Sequence, residues 1–469
     1  MQSRASSRTI YLLQLFKQAV TGGEQDFTTG SIKKAIFLLS VPMILEMAME
    51  SLFAVVDVFF VGKLGVNAVA TVGLTESMLT LLYSIAMGLS MGATAIVARR
   101  VGEKNTDGAA HAGLQALYIG AFFSLLVSVT GILYAKNLLI IMGAAPEVAN
   151  ENYHYTQLLM GSNMVIVMLF LINGIFRGAG DASIAMRSLW IANTLNIILC
   201  PTLINGLGPI PAMGLTGAAL ATTIGRGIGV CYQLYHLFGG KGIIKFHRKH
   251  IRLDIPVITN VIKIASGATA QFLIGSASWI FLVRILSGFG SDALAGYTIG
   301  IRVIIFTILP AWGMANAAAT LVGQNLGAKQ PDRAEQSVWK TARYNMLFLV
   351  SVAVIFFTCA EPIIHLFTHE DAVVAYGVAC LRFVSLGYAF YGYGMVVSQS
   401  FNGAGDTKTP TIINLLGFWA FQIPIAYVMA KVLNMGPTGV FLAISIAESL
   451  MAIAAILLFR RGKWKLVKV

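Results

Sequence analysis

"FRGAGD" at residues 176–181 returns as "FNGAGD" at 401–406, 225 residues later. The same displacement carries Gly102 onto Gly327, and Ala68 and Ala70 onto Ala293 and Ala295. Farther along, "MGLTG" at 213–217 returns as "MGPTG" at 435–439 after 222 residues, so one loop of the second half is three residues shorter. Separated blocks in one register mean that the chain is two related halves.

What each half is made of follows from composition. The 469 residues are 57% hydrophobic and 11% charged, with a mean hydropathy of +0.76. A soluble domain carries about 25% charged residues, so this chain belongs in a lipid bilayer. The 47 glycines suit helices that pack closely there. A membrane helix needs about 20 apolar residues. Runs of that kind lie near 34–61, 68–98, 110–136, 152–176, 185–205 and 212–238, then 257–287, 293–322, 341–360, 373–400, 409–431 and 438–459. Six spans per half give both halves the same direction, related by an axis along the membrane normal. The expected fold is an all-α polytopic membrane protein of twelve transmembrane helices in two six-helix bundles related by a pseudo-twofold.

The divisions are an N-terminal segment (1–33), an N-lobe (34–238), a basic loop (239–256), a C-lobe (257–459) and a basic tail (460–469). With both termini in the cytoplasm, 26 of the 33 lysines and arginines fall on that side, three on the other and four within spans. This asymmetry predicts the orientation. It also explains the net charge of +13 without nucleic acid. The loop "GGKGIIKFHRKHIRLD" is expected to touch anionic lipid headgroups. The N-terminal "IYLLQLFKQAV" has a helical apolar face and either lies on the membrane surface or forms a tail. The four cysteines show no metal-ligand spacing and imply no disulfide framework; core packing is the expected role.

The first span contains "LEMAMESLFAVVD", residues 45–57. At 100° per residue, Glu46, Glu50 and Asp57 fall on one narrow stripe. Asp57 lies about 10 Å from Glu50 and about 16 Å from Glu46 along the axis. The displacement of 225 sends these acids to Gln271, Gly275 and Leu282, so the stripe has no acidic twin. Carboxylates in a bilayer face a cavity, pair, or take up protons.

Four stretches make the chain resemble the multidrug and toxic compound extrusion (MATE) transporters of the MOP flippase superfamily. They are "VPMILEMAMESLFAVVDVFFVGKLG" with "NAVATVG", the paired "RGAGD" and "NGAGDTKTP", "NTLNIILCPTLINGLGPIPAMGLTGAALAT", and "LVGQNLGAKQPDRAE". The resemblance covers nearly the whole chain. It implies a two-lobed antiporter exporting drug-like, often cationic and lipophilic compounds against an H⁺ or Na⁺ gradient. Asp57 matches the family's first-helix aspartate, assigned to coupling-ion or proton binding. Asn196 matches the asparagine of the fifth-helix N-x-x-x-[D/N] pattern, whose last position is Cys200 here, a departure that removes an oxygen ligand. Glu50 stands where relatives often have Gln, and Gln271 where many have Glu.

The coupling set expected from these residues is Asp57, Asn193, Asn196, Glu50 and Thr216, with Asp57 paired to Arg226 as the structural alternative. Asn193 and Asn196 are three apart on one helix face. Sodium prefers hard oxygen ligands; Cys200 and three titratable acids tilt the expectation toward H⁺. Glu46, Gln271 and Arg284 are expected to line the substrate cavity. No cofactor is expected beyond Na⁺ as coupling ion, and the expected state is a monomer in the plasma (inner) membrane. A lipid-linked precursor flippase of the same superfamily is the rival, since Arg284, Arg302 and Arg382 add positive charge to the second half. A membrane-embedded enzyme would need a metal cluster or nucleophile–base set in the spans, and the seven histidines supply none.

Overall fold

Long runs of Leu, Ile, Val, Ala and Phe satisfy their backbone polar groups only by coiling into helices, because lipid offers no hydrogen bonds. A computed structural model of the chain describes residues 2–23, 25–239 and 242–469, with the side chains of residues 2–9, Val55, Asp57, Val58 and Val66 outside the description. The described residues form helices and no strand. A surface helix α1 (Gln2–Thr21) precedes the N-lobe: α2 (Ile32–Gly62), α3 (Val66–Gly102), α4 (Thr106–Ile141), α5 (Pro146–Gly161), α6 (Asn163–Ala179), α7 (Ala182–Asn205) and α8 (Gly214–Phe238). The C-lobe holds α9 (Ile255–Ser287), α10 (Ser291–Gly327), α11 (Pro331–His365), α12 (Asp371–Ser385), α13 (Tyr388–Ala404), α14 (Lys408–Asn414), α15 (Ile423–Tyr427) and α16 (Pro437–Arg460). A π-helical stretch, Leu415–Gln422, joins α14 to α15, and a second, Val428–Val432, extends the same rod.

Counting α5–α6, α12–α13 and α14–α15 as single rods gives six per lobe. Among the described residues nine rods are long and apolar enough to cross a membrane, ten with the bent pair α12–α13. The remaining two are α2, where Val55, Asp57 and Val58 lie outside the described side chains, and α8, which carries Arg226. Both fourth rods are interrupted at matching positions, at Ser162 in the N-lobe and beside Gly387 in the C-lobe, where the bend is 59°. The fourth and ninth rods begin earlier than the apolar runs alone suggested, at Pro146 and Pro331. Their first turns are polar and lie beyond the apolar stretch, and proline is favoured at such starts.

Each lobe has its own apolar core, one from Leu282 to Trp464 and another from Val61 to Ala221. Two further clusters cross between the lobes: Val261, Ile264 and Ala265 of α9 join the α3–α4 core, while Ala317 and Leu321 of α10 join Leu39 and Met43 of α2. Glycines allow this approach. A Cβ on Gly88 would meet Thr269 and Ala265 of α9, and one on its repeat-mate Gly313 would meet Met43 and Ile44 of α2. At the end of the molecule bearing the basic loops, Gly102 abuts Gln324 and Gly327 abuts Arg99. Gln324 is itself the repeat-mate of Arg99, so the two contacts exchange roles about the pseudo-axis. At the opposite ends of these helices Gly62, Gly65, Gly73 and Gly290 meet no atom within 4 Å.

Both terminal segments cross this sealed basic end. Leu15 and Ala19 of α1 are buried against α2, while Ile10, Tyr11, Leu13 and Phe16 stay exposed. The following stretch is held by the N-lobe through Lys104 on Asp26 (2.7 Å) and by the C-lobe through Arg333, which donates to the carbonyls of Phe27, Thr29 and Gly30. In the tail, Val467 accepts from Arg99 (2.9 Å), and Trp464 is fully buried, stacked on Phe459. Of the cysteines, Cys200 and Cys380 are buried as expected for core packing, whereas Cys231 and Cys359 are exposed, on helix faces turned away from the cores.

Candidate functional site

The acidic stripe of α2 faces three helices of its own lobe. Glu46 is 1% exposed and is reached from α6. Its Oε1 accepts from Asn173 Nδ2 (3.1 Å) and lies 3.5 Å from Arg177 Nη1. Its Oε2 is buried with no hydrogen-bond partner among the described residues. Asn173 Oδ1 in turn accepts from Gln233 of α8 and Ser188 of α7, so one buried polar network joins four helices.

One turn along, Glu50 faces α7 and α8. Its Oε1 accepts from Arg226 Nη2 at 3.0 Å and its Oε2 from Asn193 Nδ2 at 3.4 Å. Arg226 is 2% exposed, and its guanidinium lies over Phe53 with Phe170 and Tyr83 nearby. Cations over aromatic faces in a desolvated place are held by the ring quadrupoles. Close packing of α7 on α8 comes from Gly225 and Gly229, whose hydrogens face Ala192 and Ser188.

Asn193 and Asn196 of α7 are both buried. Asn193 also donates to the Met49 carbonyl, and Asn196 donates to Thr222 Oγ1 at 2.9 Å. Both Oδ1 atoms are buried without a hydrogen-bond partner among the described residues. A buried carbonyl oxygen left without a donor costs roughly 1–3 kcal/mol, which a cation or a proton donor arriving there would offset. Asp57 lies on α2 beyond Glu50, with its side chain outside the described residues. Thr216 is half-buried at the start of α8 and forms no hydrogen bond through its hydroxyl among the described residues. Cys200 is fully buried in the outer N-lobe core.

The C-lobe answers this site with different chemistry. Gln271, the mate of Glu46, exchanges two hydrogen bonds (2.9 and 3.1 Å) with Asn402, the mate of Arg177. Glu448 occupies the position matching Arg226 after the 222-residue displacement and is half-buried, within electrostatic reach of Tyr391. Arg284 and Arg302 are exposed, and Arg302 faces Glu76 of α3 within electrostatic reach. A small cavity lies on the pseudo-axis between the lobes, lined in mates: Met91 with Asn316, Thr94 with Ala319, Arg177 with Asn402.

Of the expected coupling set, Asn193 donates to Glu50 (3.4 Å), while the Asp57 side chain lies outside the description. Sequence reasoning offered Arg226 as a structural partner for Asp57; among the described residues Arg226 pairs with Glu50. It passed over Arg177, Asn173, Ser188 and Gln233. The signal for Arg177 was present in the one residue by which "FRGAGD" and "FNGAGD" differ.

A family model described as MatE matches residues 42–202 and again 268–428, one copy in each half. The probable multidrug resistance protein NorM of Thermotoga maritima is 24% identical over 441 residues, covering 92% of this chain and 93% of that protein. The multidrug export protein MepA of Staphylococcus aureus is 22% identical, with 92% and 94% covered. A solved structure described as the outward-facing conformation of a multidrug resistance MATE family transporter of the MOP superfamily superposes with a TM-score of 0.88 at 26% identity, with 94% and 98% covered.

Proposed function

We propose that this chain, which belongs to the multidrug and toxic compound extrusion (MatE) family, is a secondary antiporter exporting drug-like organic compounds in exchange for H⁺ or Na⁺. The observation that carries the reading is the N-lobe site: an ion-paired Glu50 and two unpartnered buried oxygens, on Asn193 and Asn196, beside the stretch of α2 that holds Asp57. No such set exists in the C-lobe, where the mates of the three acids are Gln271, Gly275 and Leu282. Multidrug export by the named relatives supports the substrate class.

The excess of lysine and arginine at the sealed end supports a cytoplasmic assignment for that end. The described state is then outward-facing, in an integral protein of the plasma membrane, with loop 239–256 against anionic headgroups and the chain acting as a monomer. In this state the coupling ion enters from outside and settles on Asp57, with the Asn193 and Asn196 oxygens as neutral ligands for Na⁺ or acceptors beside a protonated carboxyl. Its arrival removes negative charge from the N-lobe cavity, which loosens a bound organic cation. Release of the ion to the cytoplasm restores that charge for the next substrate.

Proteoliposomes test this directly. Substrate addition should dissipate an imposed pH or Na⁺ gradient in wild type and leave both intact in Asp57→Asn. Full gradient-driven export by Asp57→Asn would sink the reading. The exposed Arg284 and Arg302 favour a second reading, a lipid-linked anionic precursor as cargo. Retention of a pyrophosphate-linked lipid in preference to organic cations would select it.

A further inference from the structure

We propose that Glu46 is a second proton-binding site, separate from the coupling site at Asp57, and that its protonation unseals the basic end by freeing Arg177.

The argument begins with what Arg177 holds together. Its guanidinium is bound by Glu46 (3.5 Å) and by Ser90 Oγ (3.0 Å), at the edge of the cavity on the pseudo-axis. Its own carbonyl accepts from Thr320 Oγ1 of the C-lobe (3.0 Å), and the next carbonyl, of Gly178, accepts from Gln324 Nε2 (3.0 Å). Residues 177 and 178 therefore bridge the two lobes beside the glycine contacts that close this end.

Glu46 is equipped to change its charge. One oxygen is used by Asn173 and Arg177, and the other is buried with no donor among the described residues to hold it as an anion. A proton on that oxygen leaves the network around Asn173 intact. The charged groups facing Glu46 among the described residues are Arg177 from α6 and Glu50 from its own helix, the latter already paired with Arg226 of α8. Among the described residues, α1, α3, α7, α8, α10 and α11, which also pack on α2, add no other charge within reach of Glu46. Asp57 lies about 16 Å farther along α2.

Once Glu46 is neutral, Arg177 is a cation 11% exposed through its side chain and without that counter-ion, a costly state in a low-dielectric interior. The guanidinium borders the axial cavity, and moving into it toward water pulls on the segment bonded to Thr320 and Gln324. The repeat supplies the control. In the C-lobe the matching pair is Gln271–Asn402, neutral and fully exchanged, so that half has nothing to titrate there. Falling pH thus favours opening of the basic end, and rising pH favours the sealed form described here.

Double electron–electron resonance on the full chain tests this, with spin labels at Glu103 and Lys329, exposed on the two lobes at the basic end. The exposed Cys231 and Cys359 are replaced by serine. Wild type should gain a longer-distance population between pH 8 and pH 5. Glu46→Gln should show that population at every pH. Glu46→Gln/Arg177→Asn, which installs the C-lobe pair in the N-lobe, should stay short at every pH. Asp57→Asn should keep the wild-type response, which separates this proposal from the coupling assignment. A wild-type-like pH response in Glu46→Gln, or no response in wild type, overturns it. Should Glu46→Gln fail to fold, a preserved response in the double variant does the same.

Discussion

Glu50 and Arg226 form a 3.0 Å ion pair between the first and last helices of the N-lobe, and the residues at their matching positions, Gly275 and Glu448, cannot form one. The second lobe keeps a carboxylate where the first keeps its cation. Removing one partner of a buried pair strands the other and costs about 3–5 kcal/mol. Glu50 is 22% exposed through its side chain, and glutamine still accepts a hydrogen bond, so Glu50→Gln should cost less, about 2 kcal/mol. Thermal unfolding in detergent should show the drop, with Glu50→Gln/Arg226→Gln recovering part of it. A double variant as unstable as the sum of the singles would mean the two groups are uncoupled.

The seal at the basic end depends on the absence of two side chains. A Cβ on Gly102 or Gly327 would press into the backbone of Gln324 or Arg99, which cannot rotate away. Gly102→Ala and Gly327→Ala should each shift the protein toward a basic end that is open. A cysteine placed at Ala98, fully buried and in contact with Gly323, should then react with maleimide at least about tenfold faster, equivalent to roughly 1.4 kcal/mol in the opening equilibrium.

The N-terminal strap has its own pH signature. Burial by itself would raise the Asp26 carboxyl, but hydrogen bonds from Lys104 and Thr28 outweigh it and hold it at about 2. A depressed folded-state value stabilises the strap above the ordinary carboxylate range, and that stabilisation is lost as pH falls toward 2. Between pH 5 and 8 the strap should be insensitive to pH. Asp26→Asn should raise amide exchange in residues 22–30 across that window, while global stability shifts by less than about 1 kcal/mol, as expected of an exposed pair. A pH-dependent exchange rate beyond the intrinsic chemical one would contradict the assignment.

Trp464 anchors the tail. It is fully buried and stacked on Phe459 with ring centres 4.5 Å apart, and its Nε1 donates to the Phe459 carbonyl. Truncations of buried aromatic residues cost about 3–5 kcal/mol, and Trp464→Ala should fall in that range. Proteolysis of the tail should accelerate in the same variant, because Val467 can no longer be presented to Arg99.

The duplication was legible because it is written in local blocks such as "FRGAGD" and "FNGAGD", and the rods were legible because lipid demands long apolar runs. The interruption of the fourth rods beside Ser162 and Gly387 was hidden, since nothing in an apolar run marks where packing bends it. The π-helical stretches between Leu415 and Val432 left no mark for the same reason. Periodicity placed Glu46 and Glu50 on one stripe, about 40° apart. That separation is enough to give them different neighbours, Arg177 on α6 and Arg226 on α8. Which neighbour each acid meets depends on how six helices are arranged, and the local pattern of α2 carries no information about that.

The exchanged contacts at the basic end are those of an isologous interface. Gly102 meets Gln324 while Gly327 meets Arg99, and each residue's mate performs the reciprocal task. A chain of half this length, meeting a second copy of itself in the same membrane orientation, would make both contacts at once. Fusing the halves kept that geometry and removed the requirement that the two copies be identical. Only in a fused chain can Arg177 face Glu46 on one side of the axis while Asn402 faces Gln271 on the other.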